Sequence, residues 1–232
     1  ALVVGIFSMM DVFIRFEKQQ IIHDFGNYHI LIKDATANET AVISSRIDVK
    51  NSGTWTDFGD GTVNGSECSV LALDENFASN MDMTLLEGMY PKSADEVVLE
   101  SWGADKLGVR VGSTVTLALN GGEHRSFTVS GIISDYGSTK AADEIGVVIS
   151  KTAGAAERGH YLLIEFKNRV DIAGAEQEIK ETLNIPDDRV GHNERLLAII
   201  GQSGHDAAVG FYQLGAILSV IVLVAGVVMI YN

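Results

Sequence analysis

The chain has 232 residues, 46% of them apolar and 21% charged, enough to bury a core and too hydrophobic for a disordered tail. Its 31 acidic side chains against 17 basic ones leave a net charge of -14, which repels a phosphate backbone and excludes a nucleic-acid partner. Cys68 is the single cysteine, so no disulfide forms within the chain in any compartment.

In chain order, Ala1 to Met10 reads ALVVGIFSMM, apolar and without a basic flank before it or a small-residue cleavage site after it. This reads as the end of a membrane span rather than a signal peptide. The next residues, DVFIRFEKQQIIHDFG, place Val12, Phe16 and His23 along one side, with Phe13, Ile14, Ile21 and Ile22 widening the stripe. A helix continuing the span into water is expected, ended by Gly26.

Seven segments rich in β-branched or aromatic residues are predicted as strands: Tyr28–Lys33, Ser66–Leu73, Glu96–Glu100, Ser113–Leu119, Ser126–Ile133, Ile145–Ser150 and His160–Phe166. Asn120-Gly121-Gly122 suits a hairpin turn. Helices are expected at Ser101–Leu107, around Thr152–Glu157, and at Asp171–Leu183, where Ile172, Ala175, Ile179 and Leu183 recur at helical spacing before Pro186. The glycine-rich run Gly53–Glu67 reads as an exposed loop or a loose hairpin.

The second half closes as the first began. Asn193 is a candidate N-cap for a helix over NERLLAIIGQSGHDAAVGFYQL, softened at Gly201 and Gly204. Leu214 to Tyr231, LGAILSVIVLVAGVVMIY, then carries eleven Leu, Ile and Val residues and no charge. At the centre of a bilayer these favour insertion by about -3 to -7 kcal/mol, and no polar stripe marks a soluble core helix. Neither flank is rich in Lys or Arg, since Asp11 and Glu17 match Arg15 and Lys18, and Glu194 and Asp206 outweigh Arg195. The region between the spans is therefore expected outside the cytoplasm.

One stretch carries more than pattern. LLEGMYPKSADEVVLESWGADKLGVRVGSTVTLAL, Leu85 to Leu119, joins a turn on Gly88 and Pro91, an edge strand Glu96–Glu100, a short helix ending at Gly108 and a strand opened by Val111-Gly112-Ser113. It resembles the GxxP, polar run, EVVL, helix, LGxxVGxxVxL signature of the extracytoplasmic domain in MacB-type permeases, the FtsX-like branch of ABC transporters. The order of elements around it resembles that family over nearly the whole chain. The resemblance implies an α+β fold with two lobes. A discontinuous α/β lobe (28–89 and 151–192) and a β-rich inserted lobe (90–150) would stand on two stalks, 1–27 and 193–232, continuous with transmembrane helices.

The same resemblance implies a non-catalytic permease module that couples ATP hydrolysis by a cytoplasmic ATP-binding cassette protein to export or mechanotransmission. It further implies the cell membrane as location, with the domain on the extracytoplasmic side, the lipid bilayer around the spans and a second permease copy as partner. Two further spans and a nucleotide-binding domain belong to the family pattern, and no Gly-x-x-x-x-Gly-Lys-Ser/Thr occurs here. The alternative is a membrane-tethered domain that senses a ligand or regulates a cell-wall hydrolase.

Enzyme-like fragments are weak. Asp57, Asp60, Asn64 and Glu67 have the composition of a calcium loop without its spacing. Gly201-Gln202-Ser203-Gly204-His205 lacks the final glycine of a nucleophile elbow. Asp24-Phe25-Gly26 and Asp57-Phe58-Gly59 lack the companions of a kinase triplet. His23, His29, His124, His160, His192 and His205 show no metal-ligand spacing, and Trp55 and Trp102 suit packing roles. No catalytic, cofactor-binding or metal residue is assigned, and no cofactor is expected.

Overall fold

A computed structural model describes residues 2–119, 122–135, 139–140 and 142–201, with side chains from Val12 onward. The chain divides into two compact units, one holding Ala1–Ile21 and Glu194–Asn232, the other Ile22–Asn193.

In the terminal unit, α1 (Leu2–Phe25) is a single 24-residue helix whose last turn belongs to the central unit, and α5 (Glu194–Gly201) starts directly after Asn193. The predicted stop of α1 holds: Gly26 adopts φ +84° and its amide donates to the Ile22 carbonyl at 2.8 Å. Val12, Phe13 and Phe16 are more than 60% exposed, so this stripe has no partner within the unit's described residues. Among the described residues, no helix is long and apolar enough to cross a membrane. The predicted span Leu214–Tyr231 and Gly204 of the second stalk lie outside them.

Among the described residues, the central unit is built on ten strands: β1 (Ile30–Lys33), β2 (Val49–Val63), β3 (Ser66–Leu73), β4 (Leu85–Gly88), β5 (Glu96–Glu100), β6 (Thr114–Leu119), β7 (Arg125–Ile133), β8 (Ile145–Ile149), β9 (Gly159–Phe166) and β10 (Val190–His192). The helices α2 (Ala37–Ser44), α3 (Ser101–Leu107) and α4 (Ile172–Leu183) lie between them. All seven predicted strands form, and the helices at 101–107 and 171–183 form within a residue of expectation.

Two arrangements share one long strand. At one end, β10, β1, β9 and the first half of β2 run antiparallel. Alternation then sorts the side chains: Ile30, Ile32, Leu162, Ile164 and Phe166 face one way and pack with Ile43 of α2 and Ala175 and Ile179 of α4. At the other end, β2 pairs with β3, β3 with β8, β8 with β5, β5 with β7, β7 with β6, and β6 returns to β2. Six strands thus close on themselves as a small barrel, which removes the exposed edges that an open sheet of this size would leave. Its filling includes Val70, Val97, Leu99, Leu117, Val129 and Val147, each no more than 2% exposed.

Bulges set both the curvature and the facing. In β2 the register slips between Asp57 and Gly59, so Phe58 is the unpaired residue and its ring joins the barrel core. In β7 the slip at Ser130 switches faces, so that Val129 points into the barrel while Ile133 joins the layer outside it. One extra residue per strand bends the ladder enough to close it.

Three expectations are corrected. Of the two readings of Gly53–Glu67, the hairpin holds and the exposed loop does not: most of the run is β2, a 15-residue strand central to the sheet, turned into β3 by Asn64-Gly65. Both turn residues have positive φ, +48° and +84°, as a two-residue type I′ hairpin requires. Glycine density here serves packing, since a Cβ on Gly53 would stand 2.3 Å from Phe77 Cβ and one on Gly61 2.4 Å from the Ala118 carbonyl. Glu96–Glu100 is not an edge strand either, because β8 and β7 flank it on both sides. The helix expected at 152–157 shrinks to one 3-10 turn, Lys151–Ala153, stopped by Gly154 at φ +71°.

Helix α2 was missed because eight residues carry too little periodicity. Its signal is a cap: Thr36 Oγ1 accepts the Glu39 amide, and the Glu39 carboxylate accepts the Thr36 amide at 2.7 Å. Arg189 grips the same carboxylate with two nitrogens at 2.9 Å. The Arg189 hydrogen bond holds the Glu39 carboxyl near 2, below its ordinary 4.5. A carboxyl depressed on folding stabilises the native state fully above pH 4.5 and loses that contribution as pH falls towards 2. Wild-type protein is thus expected to lose about 2 kcal/mol more than Glu39→Gln between pH 5 and pH 2, read from urea midpoints at each pH. Equal acid sensitivity of the two proteins refutes this.

Candidate functional site

The most elaborate polar arrangement in the central unit lies where α1 ends. His23, in the last turn, meets Asp82 with Nδ1 to Oδ2 at 2.7 Å. Asp82 is placed by a left-handed turn (φ +56°) closing the 3-10 segment Glu75–Met81. Gly26 then reverses the chain against that segment, so closely that a Cβ on it would fall 2.5 Å from Met81 Sδ. Only glycine satisfies both the positive φ and this approach.

Beyond Gly26 the chain is clasped by amides around one carboxylate. Asn27 donates its side-chain amide to Glu165 Oε1 at 3.0 Å, and its backbone amide donates to the Asn80 carbonyl. Asn80 Nδ2 donates to Glu165 Oε2 at 2.6 Å and to the Asn27 carbonyl at 3.1 Å, while Asn80 Oδ1 accepts from Asn51 at 2.8 Å. Lys50 Nζ completes the set at 2.7 Å from Glu165 Oε1. Asn80 and Glu165 are 8% and 6% exposed, so these bonds form with little competition from water and leave costly orphans if broken.

Asn193 ties in the residue from which α5 departs. Its side-chain amide donates to the Gly26 carbonyl at 2.9 Å, and its backbone amide donates to the His29 carbonyl at 3.0 Å. His29 in turn accepts the Phe166 amide on Nδ1 at 2.9 Å, which leaves its proton on Nε2, and stacks on the Phe166 ring. One network therefore fixes the chain leaving α1 and the chain about to enter α5.

The fragments weighed in the sequence go elsewhere. Asp57 and Asp60 lie on β2, Asn64 in the hairpin turn and Glu67 on β3; Asp57 caps its own bulge by accepting the Gly59 amide at 2.7 Å. His160 meets Thr56 at 3.0 Å and His192 meets Glu176 at 2.7 Å. Among the described residues, no three His, Cys, Asp or Glu side chains gather to hold a metal. Gln202 to His205 lie outside the described residues. Trp55 packs on the layer outside the barrel and Trp102 against the barrel core. The clasp residues carried no motif: in the sequence, single asparagines and a strand glutamate read as side chains facing water, and only the fold buries Asn80 and Glu165.

The model of the MacB-like periplasmic core domain family matches residues 1–182. The chain belongs to that family. As a MacB-like periplasmic core domain it is similar in fold to several solved structures. The periplasmic region of MacB from Actinobacillus actinomycetemcomitans aligns at TM-score 0.50 and 14% identity, over 75% of this chain and 92% of that one. A domain of a putative permease from Porphyromonas gingivalis aligns at 0.51 and 12% identity, over 72% and 88%. The extracellular domain of the noncanonic ABC-type transporter YknZ from Gram-positive bacteria aligns at 0.50 and 9% identity, over 72% and 99%. At these identities the likeness is one of fold. No curated protein matches the MacB-like chain in sequence.

Proposed function

We propose that this MacB-like domain is the non-catalytic extracytoplasmic module of an ABC permease. It carries outward the motion that ATP hydrolysis in a cytoplasmic ATP-binding cassette partner drives in the membrane. The observation that supports this most is the clasp. A 24-residue helix, about 36 Å long, runs directly into Gly26 and Asn27, which hydrogen-bond to Asn193, Asn80 and Glu165 on three separate segments of the central unit. A helix with its backbone bonds satisfied internally moves as a rod, and a rod transmits displacement only if its end is fixed.

In this reading the apolar termini continue as spans in a cell membrane, a second permease copy stands alongside, and the outer part has two lobes, 28–89 with 151–192 and the inserted 90–150. The separate cores of the barrel and of the β1–β9 sheet support such lobes, with the barrel also drawing in the end of β2 and all of β3.

Cysteine labelling of the full-length protein in cells tests the proposal. Cys68 gives little background, since it is buried and burial pushes its thiol up to about 12. A cysteine placed at exposed Phe13 is expected to react with a membrane-impermeant maleimide from outside. Trapping the ATPase with nucleotide and vanadate should change that rate severalfold. Labelling only from the cytoplasmic face, or a rate indifferent to nucleotide, overturns the reading.

A further inference from the structure

Beside the clasp, and wholly within the central unit, lies a cavity of about 380 Å³, at the lower end of small-molecule sites. Strand register builds its floor. Leu31 of β1 stands opposite Leu163 of β9, and Tyr161 of β9 opposite Trp55 of β2, on the face turned away from the two cores described above. On β3 the same alternation brings Ser69 and Leu71 to this face. Phe77 of the 3-10 segment closes the neighbouring ground above Gly53, and the cavity opens beyond Met81.

The lining decides the occupant. Among its described residues there is no lysine or arginine, and His23 and Asp24 are already engaged, His23 with Asp82 at 2.7 Å. A charged molecule entering here would shed its hydration without meeting a free opposite charge, which is costly. Hydrogen-bonding groups are in the opposite condition. The phenols of Tyr28 and Tyr161, the indole N–H of Trp55 and the hydroxyl of Ser69 belong to half-buried residues of the lining, and none has a hydrogen-bond partner among the described residues. Burial raises the Tyr28 phenol above its ordinary 10, so it remains a donor at neutral pH. Polar groups half withdrawn from water and unpaired within the protein are satisfied by water or by a ligand. Water would also have to lie against Leu31, Leu71 and Leu163, and a molecule with an apolar body gains by displacing it.

We propose that this cavity binds a small uncharged lipophilic molecule whose carbonyl, ether or hydroxyl oxygens accept from these unpaired donors. Because His23 to Gly26 form one wall, the bound molecule rests against the chain leaving α1. Every described lining residue belongs to the central unit, so binding does not depend on how the spans are driven.

Photolabelling of the full-length protein in nanodiscs with benzophenone, an uncharged ketone, tests this apart from transport when no ATPase is present. Peptide mass spectrometry separates label in the central unit from label that reaches the apolar termini through lipid. Saturable labelling of the segments around Leu31, Met81 and Leu163 is expected. Benzoylbenzoate and a trimethylammonium analogue, which add a negative or a positive charge to the same ring body, should label these segments about tenfold more weakly. Tyr28→Phe and Tyr161→Phe, which remove one hydroxyl each and keep the ring, should each raise the half-saturating concentration severalfold, an effect that a purely apolar surface would not show. Label confined to the apolar termini, equal labelling by either charged analogue, or unchanged half-saturation in both variants overturns the proposal.

Discussion

Glu165→Ala is expected to destabilise the protein by about 2–4 kcal/mol and to release the end of α1. The carboxylate is buried among donors, accepting from Asn27, Asn80 and Lys50. Removing it leaves two amide groups without their acceptor at a site only 6% exposed, and each orphan costs about 1–3 kcal/mol. Lys50 contributes less to the loss, since more than half of its side chain stays in water. Chemical denaturation measures the total. Hydrogen exchange separates the local effect: amides of Asn27 and its neighbours should exchange at least tenfold faster, while those of β8, inside the barrel, follow global stability. Uniform acceleration throughout would mean that Glu165 supports the fold but does not hold the helix. Glu165→Gln, which keeps one acceptor oxygen, should lose about half as much.

Phe58→Ala is expected to cost about 3–5 kcal/mol, the range for emptying an aromatic site in a packed core. Phe58 is 1% exposed, and it is the unpaired residue of the β2 bulge whose ring fills the barrel. Its neighbours sit on a closed ring of paired strands, which cannot collapse inward without breaking ladder hydrogen bonds. Phe58→Leu should cost about 1–2 kcal/mol, because it keeps most of the volume. Thermal unfolding of both variants checks the ratio; similar losses would mean that the barrel relaxes around the gap and is less rigid than a closed ladder implies.

These two residues show what could and could not be read in advance. Strands such as Glu96–Glu100 and Ser66–Leu73 were legible to the residue because alternation and β-branching are local properties. The end of α1 was legible for the same reason, since Gly26 needs only its own φ to stop a helix. Phe58 lay in a run of glycines and polar residues that resembled a loop, and only its barrel neighbours Val70, Leu117 and Val147 make it core. Glu165 follows Ile164 in a strand, where a charge normally marks the solvent face. It is buried because Asn27 and Asn80, 138 and 85 residues away, bring donors to it.

The sequence by itself determined seven of the ten strands found among the described residues, the helices at 101–107 and 171–183, the acidic character and the family signature from Leu85 to Leu119, each of which depends on residue type and near spacing. Tertiary structure decided that β2 is shared by two packed arrangements, that six strands close into a barrel, and that scattered asparagines and one glutamate clasp the end of α1. The physical reason is that burial and closure depend on contacts between distant segments. No local pattern records which polar side chain will find its partner across the fold.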